Sequence, residues 1–347
     1  MNTQSIANIP WLFDAYKQLA GMYATSQGHH ALLLQSTQGV GEHELIQSVG
    51  HFLLCQAKQK TPIMTACGVC TSCKLINANN HPDWHVIELE KDKKSIGVDA
   101  IRTVINELHQ HANQGGAKLI EIENLEILTE AAANALLKIL EEPTDNTFFL
   151  LTTYAPSELL ATIKSRCLAY PLLVPREITA IEWLKDKGTQ LDNDSLKVGL
   201  RLAHGAPILA SEILNESNWA NRITFNTELY DALKHKAYLK LASYLSSENW
   251  LFHLESLIAY LLDALKYQSL HKIPDISRAL NEALINIDRI DIISELALQD
   301  HTMLVINLQE AMHIRYTLVH NPSINTELMI TNWLLRWQQN RLEQNYL

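Results

Sequence analysis

No stretch of this 347-residue sequence approaches the roughly 18 uninterrupted apolar residues of a membrane span. The opening MNTQSIANIPWLF has no basic region followed by an apolar run and a cleavage site, so a cytoplasmic chain is expected. Basic charge is also scarce: 28 Lys and Arg face 38 Asp and Glu, a formal charge of -10. Such a field opposes tight, independent binding to a polyanion, so any DNA contact is expected to be local or shared with partners. Glycine (12) and proline (10) are few, and 47% of residues are apolar against 19% charged. That argues against disordered and fibrous classes and for an ordered, helix-leaning globular protein.

At about 150 residues per domain, two or three domains are expected. Through residue 170 the apolar pattern alternates between two periods. Helical spacing over 11–23 is followed by the strand-length run Ala31-Leu-Leu-Leu34, a glycine turn, and helical spacing over 45–54. Further strands are predicted at 84–89, 119–122 and 147–152. Further helices are predicted at 98–111, at 131–140 behind a Thr129 N-cap, and at 158–164. Strands alternating with helices imply a parallel sheet with right-handed crossovers. Beyond Pro171-Leu-Leu-Val-Pro175 strand signals fade and amphipathic helical patterns take over. Two all-helical units are expected: a small one at 171–207, with helices over 176–205, and a bundle at 208–347 interrupted near His271-Lys-Ile-Pro274 and Asn321-Pro322. The fold class is therefore α/β followed by all-α.

The glycine turn sits where a phosphate-binding loop would sit, between a strand and a helix. A working loop reads Gly-x-x-x-x-Gly-Lys-Ser/Thr: backbone N–H groups cradle phosphates, the lysine meets the outer ones and the hydroxyl holds magnesium. The eight positions here are Ser36, Thr37, Gln38, Gly39, Val40, Gly41, Glu42 and His43. Glu42 replaces the lysine with a negative charge, and His43 replaces the magnesium hydroxyl. Ordinary strand–helix turns carry glycines too, so the second nucleotide element matters. At the tip of the 119–122 strand, where hydrolysis needs an aspartate and a glutamate, stand Glu123 and Asn124, and Asn124 cannot accept a proton from water. No bound ATP and no intrinsic ATPase activity are expected.

Four of the five cysteines fall in one span: Cys55, then Cys67-Gly-Val-Cys70-Thr-Ser-Cys73. Two overlapping C-x-x-C steps let three thiolates converge on a tetrahedral ion, and Cys55 closes the shell. The expectation is structural Zn2+, with no open position for catalysis. A redox pair or disulfides are the competing readings; a cytosolic chain keeps its thiols reduced. The fifteen histidines form no H-E-x-x-H or similar pattern and read as solvated or packed. Trp333 and Trp337, four apart on a helix, read as core or subunit contacts.

At the end of the alternating region stands Ser165-Arg166-Cys167, an arginine that by itself reads as a surface or salt-bridged residue. Taken with His30-Ala-Leu-Leu-Leu34, the glycine turn, the four-cysteine insertion and Asn134-Ala-Leu-Leu-Lys138-Ile-Leu-Glu141-Glu142-Pro143, it resembles the clamp-loader branch of the AAA+ superfamily. Within that branch the chain is similar to the delta prime family of bacterial DNA polymerase III. The resemblance covers the first two predicted domains well and the C-terminal bundle loosely.

The resemblance implies an AAA+ P-loop-type α/β domain at 1–170 with a zinc insertion at 55–73, a helical lid, and a C-terminal collar. It also implies a non-hydrolysing stator in a hetero-oligomeric loader with gamma/tau and delta subunits, which places the sliding clamp on primed DNA within the replisome at the nucleoid. Such a subunit is part of a DNA-directed DNA polymerase holoenzyme. Arg166, flanked by Ser165 and Cys167, would then be the arginine finger acting on the neighbouring ATP. Ile208, at the place where ATP-binding relatives carry a sensing arginine, cannot contact a phosphate. Alternatives are an ATP-hydrolysing loader subunit and a zinc-bearing DNA-binding regulator. The first predicts ATP binding by the isolated chain; the second predicts salt-dependent DNA affinity without partners.

Overall fold

The computed structural model describes residues 6–25, 27–58, 65–90, 93–108, 112–114, 116–270, 276–321 and 323–343. The expected breaks at His271-Lys-Ile-Pro274 and Pro322 lie outside these residues. The chain divides into two compact units, residues 1–179 with 206–208, and residues 180–205 with 209–347.

The first unit runs α1 (Pro10–Ala24), β1 (Ala31–Ser36), α2 (Glu42–Leu54), α3 (Thr71–Asn77), β2 (Trp84–Ile87), α4 (Val98–Leu108), β3 (Lys118–Ile122), α5 (Glu130–Glu141), β4 (Thr147–Thr153), α6 (Ala161–Lys164) and β5 (Leu168–Leu172). The sheet order is β2-β3-β4-β1-β5 and every pairing is parallel. The three central strands are the apolar runs Ala-Leu-Leu-Leu, Leu-Ile-Glu-Ile and Phe-Phe-Leu-Leu. Parallel strands covered on both faces demand such runs.

On one face, Leu33, Ile120, Ile122, Phe149 and Leu151 meet the buried stripe Ala132, Leu136, Ile139 and Leu140 of α5. Thr129 caps that helix as expected, its Oγ1 accepting from Ala132 N at 3.2 Å. α2 packs on α1, β3 and β4. Asp83, 2% exposed, fixes the loop ahead of β3 by accepting from Asn113 N at 2.7 Å and Gln114 N at 3.0 Å.

Three local expectations need correction. The sheet does not end at β4: β5 pairs with β1, placing Ala169 opposite Leu33 and Pro171 opposite Gln35. Pro171 cannot donate to a ladder, which an edge strand tolerates. The helix predicted over 158–164 forms only as α6, because Leu160 is extended at φ −55°, ψ 130°. Inside the cysteine insertion, α3 forms where no helix was predicted, N-capped by the Cys70 sulfur.

The second unit is helical: α7 (Glu177–Asp186), α8 (Asn193–Leu202), α9 (Pro207–Ile213), α10 (Glu216–His235), α11 (Ala242–Leu245), α12 (Trp250–Leu270), α13 (Ile276–Ala283), α14 (Ile290–Ala297), α15 (His301–His320) and α16 (Thr326–Glu343). Both α7 and α9 begin in residues assigned to the first unit. The bundle core gathers Phe225, Leu229, Leu257, Tyr260, Ile292, Leu304, Trp333 and Trp337. Both tryptophans are core residues: Trp337 stacks on Tyr238 at 4.8 Å and donates to Gln299 Oε1 at 2.9 Å. Buried Arg222 is matched by Asp288, 2.7 Å and 3.0 Å from its two terminal nitrogens, and by Asn286 Oδ1 at 3.0 Å. Among the described residues no helix is long and apolar enough to cross a membrane.

Candidate functional site

β1 ends at Ser36, whose buried Oγ has no hydrogen-bond partner among the described residues. The chain then turns through Gly39 (φ 81°) and Gly41 (φ 112°), left-handed conformations that glycine adopts freely. Gly41 is needed for space as well, since a Cβ there would lie 2.6 Å from Leu12 Cδ1. Glu42 opens α2 and is only 6% exposed. Its carboxylate folds back over the turn: Gly39 N donates to Oε1 at 3.2 Å, Gly41 N to Oε2 at 3.1 Å, and the Tyr154 hydroxyl to Oε1 at 2.9 Å.

The amides that would cradle a phosphate in such a turn are thus bonded to an internal anion at the positive end of α2. Burial, and then the Glu42 charge, hold the Tyr154 phenol well above its ordinary pKa, so it stays a donor. The Ile208 backbone N–H donates to Gly39 O at 3.0 Å, and the Ile208 side chain is hydrocarbon.

His43, next along α2, lies with Nδ1 2.6 Å from Glu123 Oε1 and 3.8 Å from Glu121 Oε1. The hydrogen bond to Glu123 and the surrounding carboxylates outweigh burial and raise the imidazole to a pKa of about 9. Glu121 is 1% exposed, and burial raises its pKa; Trp84 Nε1 donates to it at 2.8 Å and Gln47 Nε2 at 3.2 Å. Deprotonated, His43 would offer a nitrogen within 4.8 Å of the two carboxylates, a possible cation ligand set. With a pKa of about 9 the nitrogen carries a proton at neutral pH instead. Asn124 stands just after β3 at φ 56°, a left-handed conformation that Asn tolerates, and its N–H donates to Thr152 Oγ1 at 2.8 Å.

The Ser165-Arg166-Cys167 corner has a different set of partners. Arg166 N donates to Ile163 O at 3.0 Å in the last turn of α6. Cys167 packs against the α5 side of the sheet core, where burial pushes its thiol up to about 11. The guanidinium between these anchors donates through one terminal nitrogen to Thr162 O at 2.9 Å and Ser165 Oγ at 3.3 Å. Through the other it reaches Glu141 Oε1 at 2.5 Å. The Arg166 side chain is 33% exposed.

The four cysteines predicted as ligands converge: the sulfurs of Cys55, Cys67, Cys70 and Cys73 all lie within 4.8 Å of one another, and none is in a disulfide. Thiolates about 2.3 Å from a tetrahedral ion would stand about 3.8 Å apart. Cys67 and Cys73 are already at 4.0 Å. Backbone N–H groups reinforce the donor set: Cys67 N donates to Cys55 Sγ at 3.2 Å, Cys70 N to Cys67 Sγ at 3.3 Å and Cys73 N to Cys70 Sγ at 3.4 Å. The cluster fits a metal such as zinc with little rearrangement, and α3 and the C-cap of α2 hold it in place.

Sequence reasoning passed over Tyr154, Glu121 and the pairing of Glu141 with Arg166. Glu121 had a signal, a lone acid inside the apolar run Leu-Ile-Glu-Ile. Tyr154 and Glu141 had none, because their partners lie 112 and 25 residues away.

A family model described as DNA polymerase III, delta subunit, matches residues 13–175. One described as DNA polymerase III, delta subunit, C terminal, matches residues 216–339. DNA polymerase III subunit delta' of Yersinia pestis is 38% identical over 334 residues, covering 95% of each chain. The subunit of the same name from Escherichia coli K12 is 38% identical over 330 residues, covering 94% of each. DNA polymerase III subunit gamma of Buchnera aphidicola (Schizaphis graminum) is 28% identical over 240 residues, 65% of this chain and 64% of that one.

Proposed function

This chain belongs to the DNA polymerase III delta' family, and we propose that it serves a clamp loader as a non-hydrolysing stator that presents Arg166 to the ATP of a neighbouring gamma/tau-type subunit. In that role it takes part in placing the sliding clamp on primed DNA without binding a nucleotide itself. The observation that carries the reading is the Glu42 carboxylate bonded to the amides of Gly39 and Gly41. A triphosphate would have to displace a buried carboxylate from its three donors and then face its charge. The His43–Glu123 pair at the magnesium position, Asn124 in place of a carboxylate and the hydrocarbon of Ile208 point the same way.

Arg166 supports the other half of the role. A guanidinium is always charged and planar, and it suits the charge that develops on a transferred phosphoryl group. Similarity to a gamma subunit supports assembly with subunits of that type. On α15 the exposed residues Met312, Tyr316 and Val319 recur at i, i+4 and i+7, an apolar stripe suited to a collar contact. The four-cysteine cluster is assigned structural zinc, which cross-links the insertion. Native mass spectrometry should find one zinc per chain, absent from Cys73→Ser.

The test is ATP turnover by a loader reconstituted with Arg166→Ala, run beside nucleotide binding by the unmutated chain alone. Turnover is expected to fall while the isolated chain binds no ATP. Unchanged turnover, or tight ATP binding by the chain, would return the reading to a self-sufficient ATPase.

A further inference from the structure

We propose that Glu141 is a positioning residue for Arg166, holding its guanidinium in the orientation in which the neighbouring phosphoryl group meets it; this rests on the trans role assigned above. The first indication is where Glu141 stands. It is the last residue of α5, followed by Glu142 and Pro143, so its carboxylate lies at the negative end of a twelve-residue helix. An acid there is disfavoured unless a cation answers it. Arg166 is that cation, at 2.5 Å.

The second indication is how little freedom remains around Arg166. Its backbone N–H is bound to Ile163 O, and the following Cys167 packs on the core that α5 itself helps to build. One terminal nitrogen is committed to Thr162 O and Ser165 Oγ, oxygens of its own short turn. Local bonds of that kind fix the head of the side chain at one end only. Glu141, from a different element, supplies the other end and defines the plane of the fork. The pair borders a shallow surface cavity of about 470 Å³ lined also by His29, His30, Leu140 and Ser165. The guanidinium is thus oriented at an open surface rather than sealed in the core.

Glu141 is half exposed at 50%, so the pair contributes orientation more than stability. Orientation of a group that acts on developing charge is read in kcat and leaves KM nearly unchanged.

The experiment is a double-mutant cycle in the reconstituted loader, with Glu141→Ala, Glu141→Gln, Arg166→Ala and the Glu141→Ala/Arg166→Ala pair. Glu141→Ala is expected to lower kcat for ATP about fivefold with KM for ATP changed by less than about twofold. Glu141→Gln keeps an acceptor for the guanidinium and should recover most of the loss. The pair should turn over no more slowly than Arg166→Ala alone, because Glu141 acts only through Arg166. If Arg166→Ala is impaired while Glu141→Ala is not, or if Glu141→Ala costs the same factor with and without Arg166, the positioning role fails and the trans role stands. If Arg166→Ala itself turns over normally, both fall.

Discussion

The glycine turn and the Ser-Arg-Cys corner belong to the same five-stranded unit, and each carries a charged side chain, an anion in the turn and a cation at the corner. In the turn the charge is closed inward. Glu42 is 6% exposed and bonded to two backbone amides and a tyrosine, while only its neighbour His43, paired with Glu123, reaches the surface. At the corner the charge is open: Arg166 keeps a third of its side chain exposed, and its partners are an exposed serine, a carbonyl and a half-exposed glutamate. Under the role proposed above, the turn answers its buried carboxylate from within, whereas the corner keeps a charge oriented and accessible for another molecule.

Substitutions can break that contrast, beginning with turnover. Arg166→Ala should cost about a thousandfold at the ATP site it is proposed to face, measured as single-site turnover in the assembled loader. Glu42→Ala should leave the same rate unchanged. The order reverses for stability. Glu42→Ala leaves the buried donor of Gly41 and the half-buried donors of Gly39 and Tyr154 without an acceptor and should lower the unfolding free energy by about 1–3 kcal/mol in urea titration. Arg166→Ala should stay within about 0.5 kcal/mol. Tyr154→Phe removes one donor from Glu42 while leaving the amides in place, and a loss of about 1 kcal/mol in the same titration is expected.

The smallest effect concerns pH. His43 titrates near 9 in the folded chain because Glu123 favours the imidazolium, against 6.5 for a free imidazole. The stability it contributes is fully present below about 6.5 and is lost as pH rises through about 9. In Glu123→Gln the NMR titration of His43 should move back toward 6.5, and the dependence of stability on pH across that window should flatten. A titration left near 9 would mean that Glu121 and Glu44, not Glu123, hold the proton.

Much of this was legible in the sequence because the residues concerned act through local spacing. The central strands were apolar runs, Thr129 capped its helix, and the C-x-x-C spacing placed three sulfurs together, with Cys55 at the end of the preceding helix as the fourth. Where order along the chain and proximity in space part company, the sequence was silent or misleading. Pro171 concealed β5, since a proline inside a run weakens a strand signal and only the position at the sheet edge restores it. Glu42 was legible as a charge hostile to phosphate, but its fold-back onto the turn depends on a left-handed Gly41 and on a tyrosine at the end of β4. Likewise Arg166 read as an exposed arginine with a family motif, and nothing local indicated that the end of α5 would meet it.

Helix α2 joins two of these features. Glu42 is its first residue and Cys55 its C-cap, so thirteen residues, about 20 Å of rod, separate the anchored carboxylate from the first sulfur of the insertion. Ten of the thirteen are buried, and midway Gly50 lets the Trp84 ring press against the helix, where a Cβ would stand 2.5 Å away. One helix therefore ties the cysteine insertion, at its C-cap, to the glycine turn at its first residue, and lies against β3 and β4 between them.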